Sequence, residues 1–222
     1  MSRFVVGDGY ASYSGPAVEA SLHSHAAFQI AIAQGGEVAI SDEREVTHRG
    51  TALVVSPMTK HRMEAGGELR LFFVEPQHAF SDHLRRRWGR GISSAGELED
   101  LVDEDIRFAP EPGSLDPRLL EAMGLVTVPG TTIGEIASRV GVSPHRLRAL
   151  ARDQLGMSLP RWRAWQRLRL AADSLAAGTS LAEAAIDGGF ADQAHLNRWM
   201  REMMGVTPRT AAIALRPQTA AT

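Results

Sequence analysis

The apolar positions change their period along the chain. In the first third they come as short runs, continuous or alternating with polar residues: "HAAFQIAIA", "TALVVSP" and "ELRLFFVEP". Runs of this length, bounded by Gly, Pro or charge, predict β-strands. Gly35-Gly36, Gly66-Gly67 and Pro57-Met58-Thr59 supply the turns. Closely spaced short strands predict a small β-barrel or sandwich. After Pro76 the texture becomes helical, with "AFSDHLRRRWG", "AGELEDLVDEDI" and "DPRLLEAMGLV" as predicted helices. A Pro-rich loop, "APEPGSLDP", separates the last two. Val128-Pro129-Gly130 is the predicted domain boundary, and every segment beyond it reads as helix.

The helical part repeats its punctuation. Thr132-x-x-Glu135 and Ser180-x-x-Glu183 are both capping boxes, in which hydroxyl and carboxylate each satisfy a free backbone N–H. Gly141 and Gly189 follow nine residues after each cap. Ser143 and Asp192 come next as N-caps, and Gly156 and Gly205 follow 13 residues later as terminators. Helix, turn, helix and Gly therefore occur twice, offset by about 48 residues, which predicts a duplicated helix-turn-helix. Between the copies, Leu159 to Ala177 reads as one helix of 19 residues, about 28 Å long. One turn of B-DNA is about 34 Å, so such a rod can hold two reading helices near that spacing.

In "DQAHLNRWMREMMG", Leu196, Met200 and Met203 share an inward face with Trp199 beside it, leaving Gln193, Ala194, Asn197, Arg198 and Arg201 largely outside. In the first copy Leu147, Leu150 and Leu155 are apolar, whereas His145, Arg146, Arg148 and Arg152 are not. Charge agrees with this division. Residues 1–128 carry 12 Arg and Lys against 19 Asp and Glu, whereas residues 129–222 carry 12 Arg, no Lys and seven Asp and Glu. Arg suits bidentate contact with phosphate and guanine. The competing reading is two solvated faces of opposite sign. For Arg161, Arg163, Arg167 and Arg169 on the rod, a solvated face is favoured over phosphate contact.

At 222 residues and 44% hydrophobic content the chain can bury a core, in one large or two modest domains. The absence of Cys excludes disulfides, thiol redox sensing and thiolate metal sites. No apolar run approaches a membrane span, and the first residues lack a signal-peptide pattern, so the cytoplasm is the expected location and no membrane partner is expected.

The stretch from Thr131 to Pro208 resembles the DNA-binding domain of AraC/XylS-type bacterial transcription regulators. The resemblance rests on "IASRVGVSPHRLRALARDQLGMSLPRWRAWQRLRLAADSL" and "SLAEAAIDGGFADQAHLNRWMREMMGVTP", above all the Gly-Phe-x-Asp-x-x-His run and the closing Gly-x-Thr-Pro. It implies base-facing positions at His145, Arg148 and Ala149 in the first motif and at Gln193, Ala194, His195 and Arg198 in the second. Arg146 and Arg152 complete the expected DNA-binding set. Arg148 and Arg198 are the candidates for guanine, Gln193 for adenine, and Ala149 and Ala194 for close approach or a thymine methyl. Ala151, Leu196 and Met200 stand where the family commonly has Phe, and Trp162, Trp165 and Trp199 are the candidates to refill that volume. The aromatic and Arg usual after the Thr-Pro are absent, which leaves the last helix open.

The first half resembles cupins, whose first motif is H-x-H-x(3,4)-E followed by Gly. Here it reads His23-x-His25-x(3)-Gln29 and Gly35, and "GTALVVSPMTKH" offers Gly50, Pro57 and His61 for the second motif. Alternation places His23, His25, Ala27, Gln29, Ala31 and Ala33 on one strand face and Phe28, Ile30 and Ile32 on the other. His23, His25, Gln29 and His61 form the expected effector pocket. The three histidines could alternatively ligate a divalent metal through imidazole, with Gln29 in place of the usual Glu. His48, His78 and His83 read as surface residues, and "RRRW" at 85–88 as a solvated helix end.

The expected fold is α+β: a small cupin-like β-barrel with trailing helices, then an all-α domain of two helix-turn-helix motifs joined by a long helix. The expected domains are 1–76 as barrel sensor, 77–128 as helices and linker with a candidate dimer interface, 129–215 as DNA-binding domain, and 216–222 as a disordered tail. The expected function is sequence-specific, effector-responsive transcription regulation without enzymatic activity. The expected partners are double-stranded promoter or operator DNA and a small molecule, with RNA polymerase and a homodimer left open. The rival readings are a three-His cupin metalloenzyme, dioxygenase-like, tethered to a DNA-binding tail, and a barrel serving only for dimerisation.

Overall fold

The computed structural model describes residues 2–109 and 114–215; the tail expected at 216–222 lies outside the described residues. Among the described residues, the first part is built on nine antiparallel strands: β1 (Arg3–Gly7), β2 (Tyr10–Pro16), β3 (Phe28–Ala33), β4 (Val38–Asp42), β5 (Thr47–Gly50), β6 (Ala52–Val55), β7 (His61–Met63), β8 (Glu68–Val74) and β9 (Ile92–Ser94). Six of them form a sheet in the order β1-β2-β8-β3-β6-β9, and β5-β4-β7 form a second sheet. The three apolar runs become β3, β6 and β8. They lie at the centre of the large sheet, where both faces are covered, and so read as nearly continuous hydrophobic stretches.

Strand alternation sorts the two faces. Ala31, Leu53, Val55 and Leu69 pack with Val38, Ile40 and Met63 of the small sheet, forming a core between the sheets. Phe28, Ile30, Ile32, Val54 and Phe72 point the other way. They meet Leu84 and Trp88 at the end of α1 (Ala79–Arg87), Leu98 on a 3₁₀ turn (Gly96–Leu98) and Ile106 on α2 (Asp103–Arg107). The "AGELEDLVDEDI" run is therefore a 3₁₀ turn and a short helix rather than one helix, broken where Leu101 turns into the sheet. The β-domain thus extends past Pro76, since β9 adds to the edge of the large sheet and α1 and α2 cover its outer face. His78 is only partly exposed. Its Nδ1 accepts the Phe80 N–H at the start of α1, and its ring meets Tyr10 edge-on.

The second part contains α3 (Pro117–Leu125), α4 (Ile133–Arg139), α5 (Pro144–Leu155), α6 (Leu159–Ala176), α7 (Leu181–Asp187), α8 (Gln193–Met204) and α9 (Pro208–Leu215). The capping signals act as their chemistry dictates. Thr132 and Ser180 form capping boxes with Glu135 and Glu183. Ser143 and Asp192 cap α5 and α8, which both end in left-handed glycines, Gly156 at φ 72° and Gly205 at φ 68°. The last helix, left open by the sequence, is present as α9. Helix α3 shares a core with Ile136, Leu147, Trp162 and Leu168, and the Asp116 N–H donates to Gln154 Oε1 of α5. It therefore packs with the helices that follow it, so the helices of 77–128 divide between the two parts.

Candidate DNA-reading helices and a buried histidine cluster

Helices α5 and α8 present similar surfaces. On α5, His145, Arg146, Arg148 and Arg152 are exposed, Ala149 is half-buried, and Leu147, Leu150, Ala151 and Leu155 are buried. On α8, Gln193, Ala194, Arg198 and Arg201 are exposed, and Leu196, Met200 and Met203 are buried. His195 differs from its neighbours. Its Nε2 accepts the Trp199 Nε1–H at 3.0 Å, and its ring stands edge-on to Phe190. The half-buried ring is therefore held against its own helix and turn, which weakens its place among the base-facing side chains.

The arginines of the rod are neither a solvated face nor free for phosphate, with the exception of Arg167, for which no polar contact is described. Arg161 donates to the Ser24 carbonyl and hydroxyl at 2.7 and 3.1 Å and pairs with Glu202 at 2.7 Å. Arg163 caps the end of α3 by donating to Val126 O and Thr131 O at 2.5 and 2.7 Å. Arg169 reaches Gly7 O and lies 3.8 Å from Glu75. Glu75, on the residue after β8, is only 2% exposed. It accepts Trp165 Nε1–H at 3.0 Å, Gln166 Nε2–H at 2.7 Å and Gln77 Nε2–H at 2.6 Å. A buried carboxylate is tolerable because these donors replace the water it loses. Glu75 thus fastens the β-domain to the rod, a role that its position at the end of an apolar strand did not announce.

His23, His25 and His61 are buried and come together. One ring nitrogen from each lies within 4.8 Å of the others. Only Phe28 onward is strand, so His23 and His25 sit on the segment before β3 and not along its face. A bridge joins the His23 and His61 backbones. Each Nδ1 faces a carbonyl: His23 to Ser21 O at 2.8 Å, His25 to Ala27 O at 2.8 Å and His61 to Thr59 O at 3.0 Å. A carbonyl only accepts, so each Nδ1 carries the proton and each Nε2 keeps a lone pair. Burial keeps all three rings neutral. It lowers the pKa of His23, while burial and neighbouring histidines lower His25 to about 3 and His61 to about 2.

Gln29 Oε1 lies 3.0 Å from His25 Nε2 and 3.4 Å from His61 Nε2, while Gln29 Nε2 is buried without a partner. Oxygen and nitrogen therefore confront each other as acceptors. Turning the amide over would relieve that conflict but would leave the oxygen in the unpartnered position instead. The donor set suits a divalent transition ion: three neutral imidazoles, each oriented by a backbone carbonyl, with an amide oxygen beside them.

A cavity of about 160 Å³ lies beside this cluster between the two parts of the molecule. Tyr13, Met63, Leu71 and Phe73 line it from the β-domain and Leu168, Met200, Met204 and Val206 from the helices. His23, Gln29, Glu75 and Arg169 are its polar edge. Of the residues expected to form an effector pocket, His23 and Gln29 reach the cavity, and His25 and His61 are not among its lining. The space is closed by the helical part, so no periodicity within the strands could reveal it.

Comparison with known proteins agrees with this architecture. A family model described as a helix-turn-helix domain matches residues 136–212. The HTH-type transcriptional regulator RipA of Corynebacterium glutamicum is 31% identical over 138 residues, covering 60% of this chain. The chain spans 42% of the length of RipA. The apo K231A form of ToxT from Vibrio cholerae superposes with a TM-score of 0.65 at 12% identity, over 93% of this chain and 98% of ToxT. Wild-type ToxT bound to unsaturated fatty acid superposes with a TM-score of 0.61 at 11% identity, over 97% of this chain and 99% of that one. At these identities the likeness concerns the fold: a β-domain followed by paired helix-turn-helix motifs. No helix among the described residues is long and apolar enough to cross a membrane. The doubled helix-turn-helix, with matching caps at Ser143 and Asp192 and matching terminators at Gly156 and Gly205, lies within the residues that match the helix-turn-helix family model.

Proposed function

We propose that the chain is a sequence-specific DNA-binding transcription regulator whose helices α5 and α8 enter the major groove. The observation that carries this reading is the repetition of one capped helix with exposed cations on both copies, within the segment that matches the helix-turn-helix family. The N-terminal turns of such helices face base edges, which assigns His145, Arg148, Ala149, Gln193, Ala194 and Arg198 to readout. Arg146 and Arg152 are assigned to the backbone. The 18-residue α6, about 27 Å long, sets the separation of the two helices.

The apolar cavity between the parts is the proposed effector site. A ligand there touches both the barrel and the end of α8, so it shifts DNA affinity by its differential affinity for two domain arrangements. An apolar ligand is supported by the lining and by the fatty-acid-bound ToxT of the same fold. The dioxygenase-like alternative gains no support: among the described residues the cluster contains histidines only, with no carboxylate beside them to act as acid or base.

The experiment is selection of sites from random DNA, followed by affinity measurement across salt. The expected result is a preferred sequence, with log K falling by about 0.9 per neutralised phosphate against log salt. Loss of preference at one position in Arg198→Ala is expected as well. Recovery of no preferred sequence would overturn the reading.

A further inference from the structure

We propose that the cavity between the β-domain and the helices takes a small, neutral aromatic alcohol of the phenol class, whose hydroxyl donates to the Gln29 amide oxygen beside His23. This rests on the reading of the cavity as the effector site and narrows it. The chemistry of the ligand does not depend on DNA binding.

The polar edge of the cavity asks for a donor. His23 and Gln29 both line it. Each histidine of the cluster donates its Nδ1–H to a carbonyl and keeps a lone pair on Nε2. One end of the Gln29 amide stands 3.0 Å from His25 Nε2 and 3.4 Å from His61 Nε2. With its NH₂ group in that position, Gln29 donates to both rings and the clash of acceptors disappears. Its oxygen then occupies the buried place that no protein group partners. A buried acceptor without a donor costs free energy, and a ligand hydroxyl supplies the donor. The lone pair on His23 Nε2 is a second acceptor beside it, so a carboxylate would meet only groups of its own kind.

The charges of the lining are already matched. Arg169, the one cation of the lining among the described residues, reaches Gly7 O and lies 3.8 Å from Glu75. Glu75 is held in turn by Trp165 and Gln166. Neither an anion nor an ammonium group finds an open partner. A phenol, with a pKa of about 10, is uncharged at neutral pH.

Size and lining select a ring. The cavity's 160 Å³ is close to the roughly 150 Å³ of an engineered apolar cavity that holds benzene. It lies below the roughly 300 Å³ at which sites for drug-sized ligands begin. A single substituted ring fits, and a long acyl chain does not. Phe4, Phe73 and Trp165 offer aromatic surfaces and Met63, Met200 and Met204 offer thioethers, both of which pack well on a ring.

The site touches the second reading helix. Met200 and Met204 belong to α8, and the wall beside His23 is tied to its end, since the Ser21 N–H and Oγ–H both donate to Gly205 O at 2.9 and 3.0 Å.

The test is titration calorimetry on the full chain with three probes of similar shape: p-cresol, its methyl ether, and p-toluate. p-Cresol is expected to bind at least about fivefold more tightly than either of the others, the usual loss when a buried acceptor stays unpaired. Two variants, each checked for folding by circular dichroism, locate the site. Ala172→Phe fills the cavity from α6 and should abolish p-cresol binding. Gln29→Leu removes the acceptor and should bring p-cresol and its ether to within about twofold of each other. The wild-type protein alone decides among the three chemistries, so a variant that fails to fold leaves the test intact. No binding of p-cresol, equal binding of its ether, or equal or tighter binding of p-toluate overturns the proposal. So does unchanged binding by folded Ala172→Phe, or undiminished selectivity in folded Gln29→Leu. Selective binding that leaves affinity for DNA unchanged defeats the effector reading of the cavity while leaving the ligand site standing.

Discussion

Trp165 Nε1 donates to Glu75 Oε1 at 3.0 Å across the joint between the β-domain and the rod of the helical domain. The two residues are 90 positions apart, and both are buried. Around this bond Gln166 and Gln77 add donors, and Arg169 adds charge at 3.8 Å. Removing the carboxylate leaves the indole and both amides without an acceptor. Glu75→Ala is therefore expected to destabilise the protein by about 3 kcal/mol, the usual loss on breaking a buried, hydrogen-bonded charge. Urea unfolding followed by tryptophan fluorescence checks this. A change below about 0.5 kcal/mol would show that the joint does not hold the two parts together.

Two glycines that look equivalent in sequence should respond differently. Gly156 and Gly205 both end a helix in the left-handed region, but a Cβ on Gly156 meets open space, whereas one on Gly205 meets Ser21 O and Ala20 as well as His23. Gly156→Ala is expected to cost about 1 kcal/mol, the conformational penalty alone. Gly205→Ala should cost distinctly more, because the β-domain must also move away. Thermal unfolding of the two variants side by side measures the difference. Equal losses would mean that the contact between Gly205 and the histidine segment is not tight.

The exposed reading residues should divide by role. Arg148→Ala and Arg198→Ala should each relax preference at one base position by about 1–3 kcal/mol. Arg152→Ala should instead weaken all sequences alike and lower the salt slope by about one. His195→Ala should reduce stability through the lost Trp199 contact more than it changes sequence preference. Fluorescence anisotropy on the selected site and on single-base variants separates these outcomes.

Acid should destabilise the protein through its buried imidazoles. Burial depresses the folded-state pKa of His25 from 6.5 to about 3 and of His61 from 6.5 to about 2. Above pH 6.5 both states hold these rings neutral, and the full stability is present. As pH falls below that value the unfolded chain takes up protons and the folded one does not, so stability drops progressively toward pH 3. Unfolding midpoints between pH 8 and pH 4 test this. A flat profile through pH 6 to 4 would show that the rings are accessible to protons in the folded state.

Much of the architecture was legible because it is written in short-range chemistry. The caps at Thr132, Ser143, Ser180 and Asp192 satisfy N–H groups within three residues of themselves, and Gly141, Gly156, Gly189 and Gly205 adopt positive φ. Alternation likewise separated Gln29 and Ala31 from Phe28, Ile30 and Ile32, because strand geometry fixes which side chains share a face. The grouping of His23, His25 and His61 was an expectation from the resemblance to the two cupin motifs, and the three rings do come together. Neither the proton on each Nδ1 nor the unpartnered Gln29 amide could be read there, since the first depends on a carbonyl two residues along the chain turning toward the ring and the second on what other segments bury around the amide.

What the sequence determined by itself was therefore local: two capped reading helices, a rod between them, apolar strands, and a set of histidines. Only the tertiary structure decided what Arg161, Arg163, Arg169, Glu75 and Ser21 do. Each is a polar side chain whose partner lies dozens of residues away, and no periodicity connects the two ends of such a bond. The joint, the cavity beneath it and the contact from His23 to the end of α8 arise because burying the apolar faces of both domains brought these polar groups out of water together. Each then had to find its hydrogen bond far along the chain, and all but Arg163 found one in the other domain.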